Sequence, residues 1–268
     1  MTNVRERFRD LHESGTFILP NPWDTGSGRL LESWGFPALA TTSSGLAASL
    51  GKLDQQVTRD ELLAHVRALT AAVTIPVNVD AERCFAETAD GIAETIDLLA
   101  EAGAAGISIE DYDPAADRVE TLEVAAERVE AAARAAERHG IVLTARAENH
   151  LYGNTDLDDT IARLRAYRQA GADVVYAPGL REGADIARVV GSVDAPVNVL
   201  ALAGGLSVPE LAGLGVRRVS LGGGLAWVAY GALRDAAREL LDSGTTGFKA
   251  RGITDDELNE AFVRDLRQ

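Results

Sequence analysis

The 268-residue chain is short of cysteine, of basic charge and of long apolar runs. Its one cysteine, Cys84, cannot close an intramolecular disulfide, which excludes a disulfide framework and predicts a reducing compartment, the cytoplasm. Lys and Arg number 26 against 41 Asp and Glu, a net charge of −15, so the sequence offers no basic face for nucleic acid or an anionic membrane. No uncharged apolar stretch approaches the ~20 residues of a membrane helix. The first ten residues alternate charge without an apolar core, so they do not read as a secretory signal. There is no Pro/Ser-rich linker and no low-complexity tract to divide the chain. What remains is an apolar fraction of 46%, enough to fill a sizeable core. The length suits a single α/β barrel, a fold that often takes roughly 200–250 residues.

One pattern recurs: an Ala-rich amphipathic stretch, a small-residue turn, then a β-branched run. Glu101-Ala102-Gly103-Ala104 and Gln169-Ala170-Gly171-Ala172 are such turns, with Ala212-Gly213-Leu214-Gly215 a looser one. Each supplies a glycine suited to ending a helix before a buried strand. Eight strands are predicted near Thr16–Leu19, Ala38–Thr42, Pro76–Asp80, Gly106–Glu110, Ile141–Arg146, Asp173–Ala177, Pro196–Leu200 and Arg218–Leu221. Helices are predicted over Ser27–Trp34, Arg59–Ala72, Thr88–Glu101, Leu122–His139, Leu157–Ala170, Gly183–Val190 and Val208–Leu214. Apolar strands alternating with helices imply a parallel sheet under a helical coat, and eight units imply a (β/α)8 TIM barrel. An extra helix over Leu225–Asp242, a Gly/Thr hinge and an acidic amphipathic tail, Asp255–Leu266, follow. The expected organisation is a barrel over residues 1–243 and a helical tail over 244–268 that is free to pack on another subunit.

Barrel enzymes place their chemistry at the C-terminal ends of the strands. Those ends hold Trp23 and Asp24, then Ser43, Ser44, Gly45 and Asp54, then Asp80 and Glu82, then Glu110 and Asp111. Arg146, Glu148 and His150 follow the fifth strand, Tyr176 ends the sixth and Asn198 lies in the seventh. Several carboxylates in one mouth raise one another's pKa unless a cation sits among them. An all-oxygen set suits a hard ion, Mg²⁺ or Mn²⁺; the competing expectation is that the acids cap helices or pair with Arg. Arg146 can meet a substrate carboxylate or an enolate oxygen, or be tied in a salt bridge with Glu148 or Glu110, or both. Thr42–Ala47 offers small residues for anion binding or a plain turn, and Trp23 a pocket wall or a core residue. Tyr112 and His150 are the candidates for proton delivery, and Cys84 reads as an unremarkable thiol.

These residues resemble the isocitrate lyase/phosphoenolpyruvate mutase superfamily from about Pro20 to Leu240. The likeness rests on Asn21-Pro22-Trp23-Asp24, Ser43-Ser44-Gly45-Leu46-Ala47 with Leu50-Gly51-Lys52-Leu53-Asp54, Asp80-Ala81-Glu82, Ile109-Glu110-Asp111 and Ala145-Arg146-Ala147-Glu148. The resemblance implies a magnesium-dependent enzyme of small 2-oxo or 2-hydroxy carboxylic acids working through an enolate-like intermediate. It implies that Asp80 touches the metal while Asp54, Glu82 and Glu110 hold its waters. It implies that Ser43, Gly45 and Leu46 bind the substrate carboxylate and oxo group beside Arg146. It also implies a homo-oligomer, tetramer or dimer, with a helix exchanged between subunits. Three departures are visible. The lyases' Lys-Lys-Cys-Gly-His loop is replaced by Asp111-Tyr112-Asp113-Pro114-Ala115-Ala116-Asp117-Arg118, Pro178 stands where phosphonate-handling members have His, and Glu82 stands for the usual second Asp. A carbon–carbon lyase or decarboxylase is the leading expectation. Carbon–phosphorus bond chemistry and a catalytically silent carboxylate-binding barrel are the alternatives.

Overall fold

The protein, in a computed structural model that describes residues 3–263, builds its helices from side-chain caps. Thr58 and Glu61 satisfy each other's backbone amides at the start of α4 (Arg59–Ala72), and Ser207 and Glu210 do so at α9 (Val208–Gly213). Thr88, Thr121 and Asp156 cap α5 (Ala89–Glu101), α6 (Leu122–His139) and α7 (Leu157–Gln169). In α6, Ala125, Val129, Ala132 and Ala136 recur at helical spacing, are buried, and pack on α5. Two further helices, α2 (Thr25–Ser33) and α8 (Gly183–Ser192), complete the coat.

The eight expected strands are present as β1 (Phe17–Leu19), β2 (Leu39–Ala40), β3 (Val77–Asp80), β4 (Gly106–Glu110), β7 (Val142–Arg146), β8 (Val174–Tyr176), β9 (Val197–Leu200) and β10 (Arg218–Ser220). They form one parallel sheet in the order β1-β10-β9-β8-β7-β4-β3-β2. The Ala40 amide donates to the Pro20 carbonyl at 3.0 Å across the remaining seam, so the sheet curls into a nearly closed (β/α)8 barrel. Outward-facing Val79, Ile107, Leu143, Val175, Val199 and Val219 pack under the helices as the main core.

Three features depart from the sequence reading. The charged N-terminus folds as α1 (Val4–Asp10) and drives its one large apolar residue, Phe8, fully buried, against Phe17, Ala105, Val142 and Val174. Gly106 makes room for it, since a Cβ there would lie 2.4 Å from the Phe8 ring. Arg5 ties α1 down by donating to the carbonyls of Ala100, Ala104 and His139. The small-residue run after β2 is helix α3 (Ser43–Ser49), because the Thr42 hydroxyl accepts from the Gly45 amide. A hairpin, β5 (Tyr112–Asp113) with β6 (Arg118–Val119), follows β4. Beyond the barrel, α10 (Gly224–Ser243) is followed by a short 3-10 turn, Gly247–Arg251, and by α11 (Asp255–Val263). The expected tail helix reached Leu266, and its last residues lie outside those described. Helix α11 packs on α2, with Arg29 over the Phe262 ring at 6.0 Å. By contrast α10 buries only Ala226 and leaves Trp227, Val228, Leu233 and Leu241 exposed. Among the described residues, no helix is long and apolar enough to cross a membrane.

Candidate active site

Strand register assembles the site. Glu110 pairs with Arg146, Arg146 with Tyr176, Tyr176 with Asn198 and Asn198 with Arg218, so one row of inward side chains crosses five strands. Asp80, at the end of β3, stands beside that row. Its Oδ1 accepts from Arg146 Nη1 at 2.8 Å and its Oδ2 from the Ser43 amide at 3.1 Å. Arg146 also donates through Nε to Glu148 Oε1 at 2.7 Å and pairs through Nη2 with Glu110 Oε2 at 3.3 Å. Its guanidinium lies over the Tyr176 ring, 5.4 Å from the centroid. The salt bridges expected of Arg146 therefore both form, with Asp80 as a third partner.

These residues border a cavity of about 200 Å³ at the strand C-termini. Its size is below the roughly 300–1,000 Å³ of drug-sized sites, which favours a small ligand. Of the anticipated residues, Ser43, Asp54, Asp80, Arg146 and Asn198 line it. Glu110 and Glu82 are buried, 6% exposed each, and are not part of the lining. Gly45 and Leu46 also lie behind the wall, with their amides bonded to Thr42. A Cβ at Gly45 would come within 3.2 Å of Trp23 Cβ, so Trp23 buttresses α3 from outside the lining. Tyr112 is stacked on Tyr152 at 3.7 Å and donates its hydroxyl to Asp117. His150 is half-buried with Nε2 unpartnered, and neither it nor Tyr112 is part of the lining. Sequence reasoning passed over Gln55, which donates from Nε2 to Glu110 Oε1 at 2.9 Å, and Arg218, which lines the cavity from the start of β10. Tyr176 was visible as a strand end and lines the cavity as well.

Charge is unbalanced here. Burial pushes the Glu82 carboxyl up to about 8, with Asp80 and Asp54 adding to it, and Arg146 opposing. Burial also raises Glu110 and Glu148, despite Arg146 beside both. Asp54 is raised by its surroundings and then by Asp80. Burial works against the Arg146 cation, but Glu148, Asp80 and Glu110 outweigh it and hold the guanidinium charged. One cation thus serves a group of five acids, and among the described residues none donates a hydrogen bond to the Glu82 carboxylate. Among the described residues no three His, Cys, Asp or Glu side chains converge to grip an ion directly. An all-oxygen set with surplus negative charge nonetheless fits a hard divalent ion held largely through its waters. The hairpin in place of the lyase loop is pinned by Asp111, which accepts from the Glu148 amide, Arg163 and Tyr167, and it brings neither Cys nor His.

The comparisons agree with this geometry. A family model described as phosphoenolpyruvate phosphomutase matches residues 8–241. A solved structure of a candidate lyase/mutase from Burkholderia cenocepacia superposes with a TM-score of 0.94 at 49% identity, over 97% of this chain and 96% of that one. An uncharacterized protein of Mycobacterium tuberculosis is 35% identical over 224 residues, 80% of this chain and 81% of its own. An oxaloacetate decarboxylase of Bradyrhizobium diazoefficiens is 28% identical over 271 residues, 97% of this chain and 93% of its own. With the barrel, the strand-end acids and Arg146 in place, the chain belongs to the phosphoenolpyruvate phosphomutase family and is an enzyme of the isocitrate lyase/phosphoenolpyruvate mutase superfamily.

Proposed function

We propose that the enzyme breaks a carbon–carbon bond at the carbon adjacent to the oxo-bearing carbon of a small 2-oxo carboxylic acid, or the matching bond of a 2-hydroxy acid, and that loss of carbon dioxide from a 2-oxo diacid is its reaction. The observation that carries this reading is Arg146, a cation 15% exposed at its side chain and held charged by three carboxylates on a cavity lined by neither Cys nor His. In decarboxylation the electron pair of the breaking bond moves into an enolate, carbon dioxide departs, and the enolate carbon then takes a proton. No strong acid is needed to begin, so the altered loop after β4 is no obstacle. Arg146 supplies fixed positive charge for the oxyanion as it develops. The acids fit a divalent ion, Mg²⁺ or Mn²⁺, with Asp80 binding it and Asp54, Glu82 and Glu110 holding its waters. When bound, such an ion supplies further charge stabilisation at the oxo and carboxylate oxygens. Ser43 and Asn198 orient the substrate from the wall, while Gly45, Leu46 and Trp23 shape it from behind. For proton delivery Tyr176 replaces Tyr112 and His150 in this reading, because its ring lines the cavity and its hydroxyl lies against Ser220.

The relative that decarboxylates oxaloacetate supports a diacid substrate. Pro178 lines the cavity where a phosphonate-handling member would place His, which weighs against carbon–phosphorus chemistry. Purified protein given oxaloacetate and related 2-oxo and 2-hydroxy acids with Mg²⁺ should release carbon dioxide or cleave one of them, and EDTA should stop it. Absence of metal-dependent turnover across the panel would refute the reading. The exposed apolar side chains of α10 support a homo-oligomer, dimer or tetramer, in which a second copy covers that helix. Light scattering on a sizing column should give a multiple of the 28.3 kDa chain mass. A buried, lone Cys84 is in keeping with the cytoplasm.

A further inference from the structure

The cavity has a second guanidinium, and this one has no carboxylate. Arg218 is 2% exposed, yet it contributes to the cavity lining. Its Nε donates to Asn198 Oδ1 at 2.9 Å and its Nη2 to Thr144 Oγ1 at 2.9 Å. Its Nη1 lies 3.3 Å from His12 Nε2. His12 Nδ1 lies 2.8 Å from the Phe8 carbonyl oxygen, which can only accept, so Nδ1 carries the proton and Nε2 accepts from Arg218. Burial, with Arg218 adding to it, pushes His12 down to about 3, so the imidazole is neutral. All three partners are therefore uncharged. The other buried arginines differ: Arg83 and Arg128 reach Glu120, and Arg163 reaches Asp111 and Asp159. Among the described residues no acid forms an ion pair with Arg218, and part of its donor fork remains uncommitted. Burying a guanidinium without a counter-charge is strongly unfavourable, and an anion entering from the cavity would relieve it. Through His12, Arg218 also touches the segment that closes the barrel at its α1 end, whereas Asp80 stands at the open end.

We propose that Arg218 forms a floor subsite for a second carboxylate of the substrate and selects dicarboxylates over monocarboxylates. This rests on the reading above that the cavity takes a small carboxylic acid. A planar fork suits a carboxylate, and the neutral acceptors around it leave its charge unspent. The test uses two probes that do not react, succinate and butyrate, which share four carbons and differ by one carboxylate. Calorimetry in magnesium-containing buffer should show wild-type enzyme binding succinate at least about tenfold tighter than butyrate. Arg218→Gln should bring the two within about twofold of each other while leaving butyrate binding nearly unchanged, and Arg218→Lys should keep part of the preference. Equal affinity for both probes in the wild type would overturn the proposal without any variant. So would an Arg218→Gln enzyme that keeps the preference, or one that weakens toward both probes alike. Because neither probe turns over, an enzyme inactive on every 2-oxo and 2-hydroxy acid refutes the proposed reaction and leaves this result readable. A wild-type enzyme that turns over such an acid yet binds succinate and butyrate equally does the reverse.

Discussion

Replacing Glu82 by glutamine alters the charge of the site while nearly keeping its shape. The folded carboxyl sits at about 8 against an ordinary 4.5, because burial and then Asp80 and Asp54 disfavour the anion. Between those two values the folded protein holds a proton that the unfolded chain has released. Stability therefore falls as pH rises from about 4.5 to about 8 and levels off above that. The gap is roughly 3.5 pH units at about 1.36 kcal/mol each, so on the order of 5 kcal/mol separates the two ends for this one group. Glu82→Gln cannot ionise and should be spared that loss. Glu110 and Glu148 are raised in both proteins and largely cancel in the difference. Urea denaturation in EDTA at steps from pH 5 to pH 9 measures it. The variant should gain on wild type steadily up to pH 8, and added Mg²⁺ should narrow the gap by stabilising the wild-type carboxylate. Parallel stability curves for the two proteins would refute this account of the site's electrostatics.

Arg146→Gln removes the cation shared by Asp80, Glu110 and Glu148 and should cost about 3–5 kcal/mol at pH 8, less at lower pH where the raised Glu110 and Glu148 take up protons. Its turnover should fall at least about a hundredfold, read in steady-state kinetics. Tyr176→Phe keeps the ring under Arg146 and removes the hydroxyl, so kcat should drop about 10²-fold or more with KM little changed. Phe8→Ala empties the fully buried plug at the α1 end and should cost about 3–5 kcal/mol in urea unfolding.

The barrel was legible because its signal is repeated: eight apolar runs, seven of them following a predicted amphipathic helix, leave little choice of topology. Asp80, Arg146 and Asn198 were legible because polar residues at strand ends break an otherwise apolar pattern. Helix α1 was hidden by its charges, since its burial rests on Phe8 and on Arg5 reaching three carbonyls far along the chain. Thr42–Ala47 admits a turn or a helix on composition, and the Thr42 cap decides it. Gln55 gives no signal at all, because its reach to Glu110 depends on a left-handed backbone at φ 64°. Arg218 escaped for a different reason. It opens its strand instead of closing it, so attention to C-terminal ends passes it by, although a long side chain facing inward reaches the same cavity.

The loop after β3 explains how Glu82 can stay in so unfavourable a place. Glu82, Cys84 and Phe85 hold φ values of 47°, 62° and 54°, a region that costs L-residues on the order of 1 kcal/mol each. Such a backbone persists only if its surroundings dictate it. Here the Glu110 amide donates to the Glu82 carbonyl at 3.0 Å and the Cys84 amide to Ala81 at 2.7 Å. Arg128 donates to the carbonyls of Arg83 and Ala86 from the far side. With its backbone bonded to β4 and the following turn tied to α6, Glu82 cannot swing out to water without breaking the loop. Its charge must then be met inside the site, by a proton or by a cation. That constraint accounts for a glutamate serving at this position: the loop, more than the length of the side chain, fixes where the carboxylate stands.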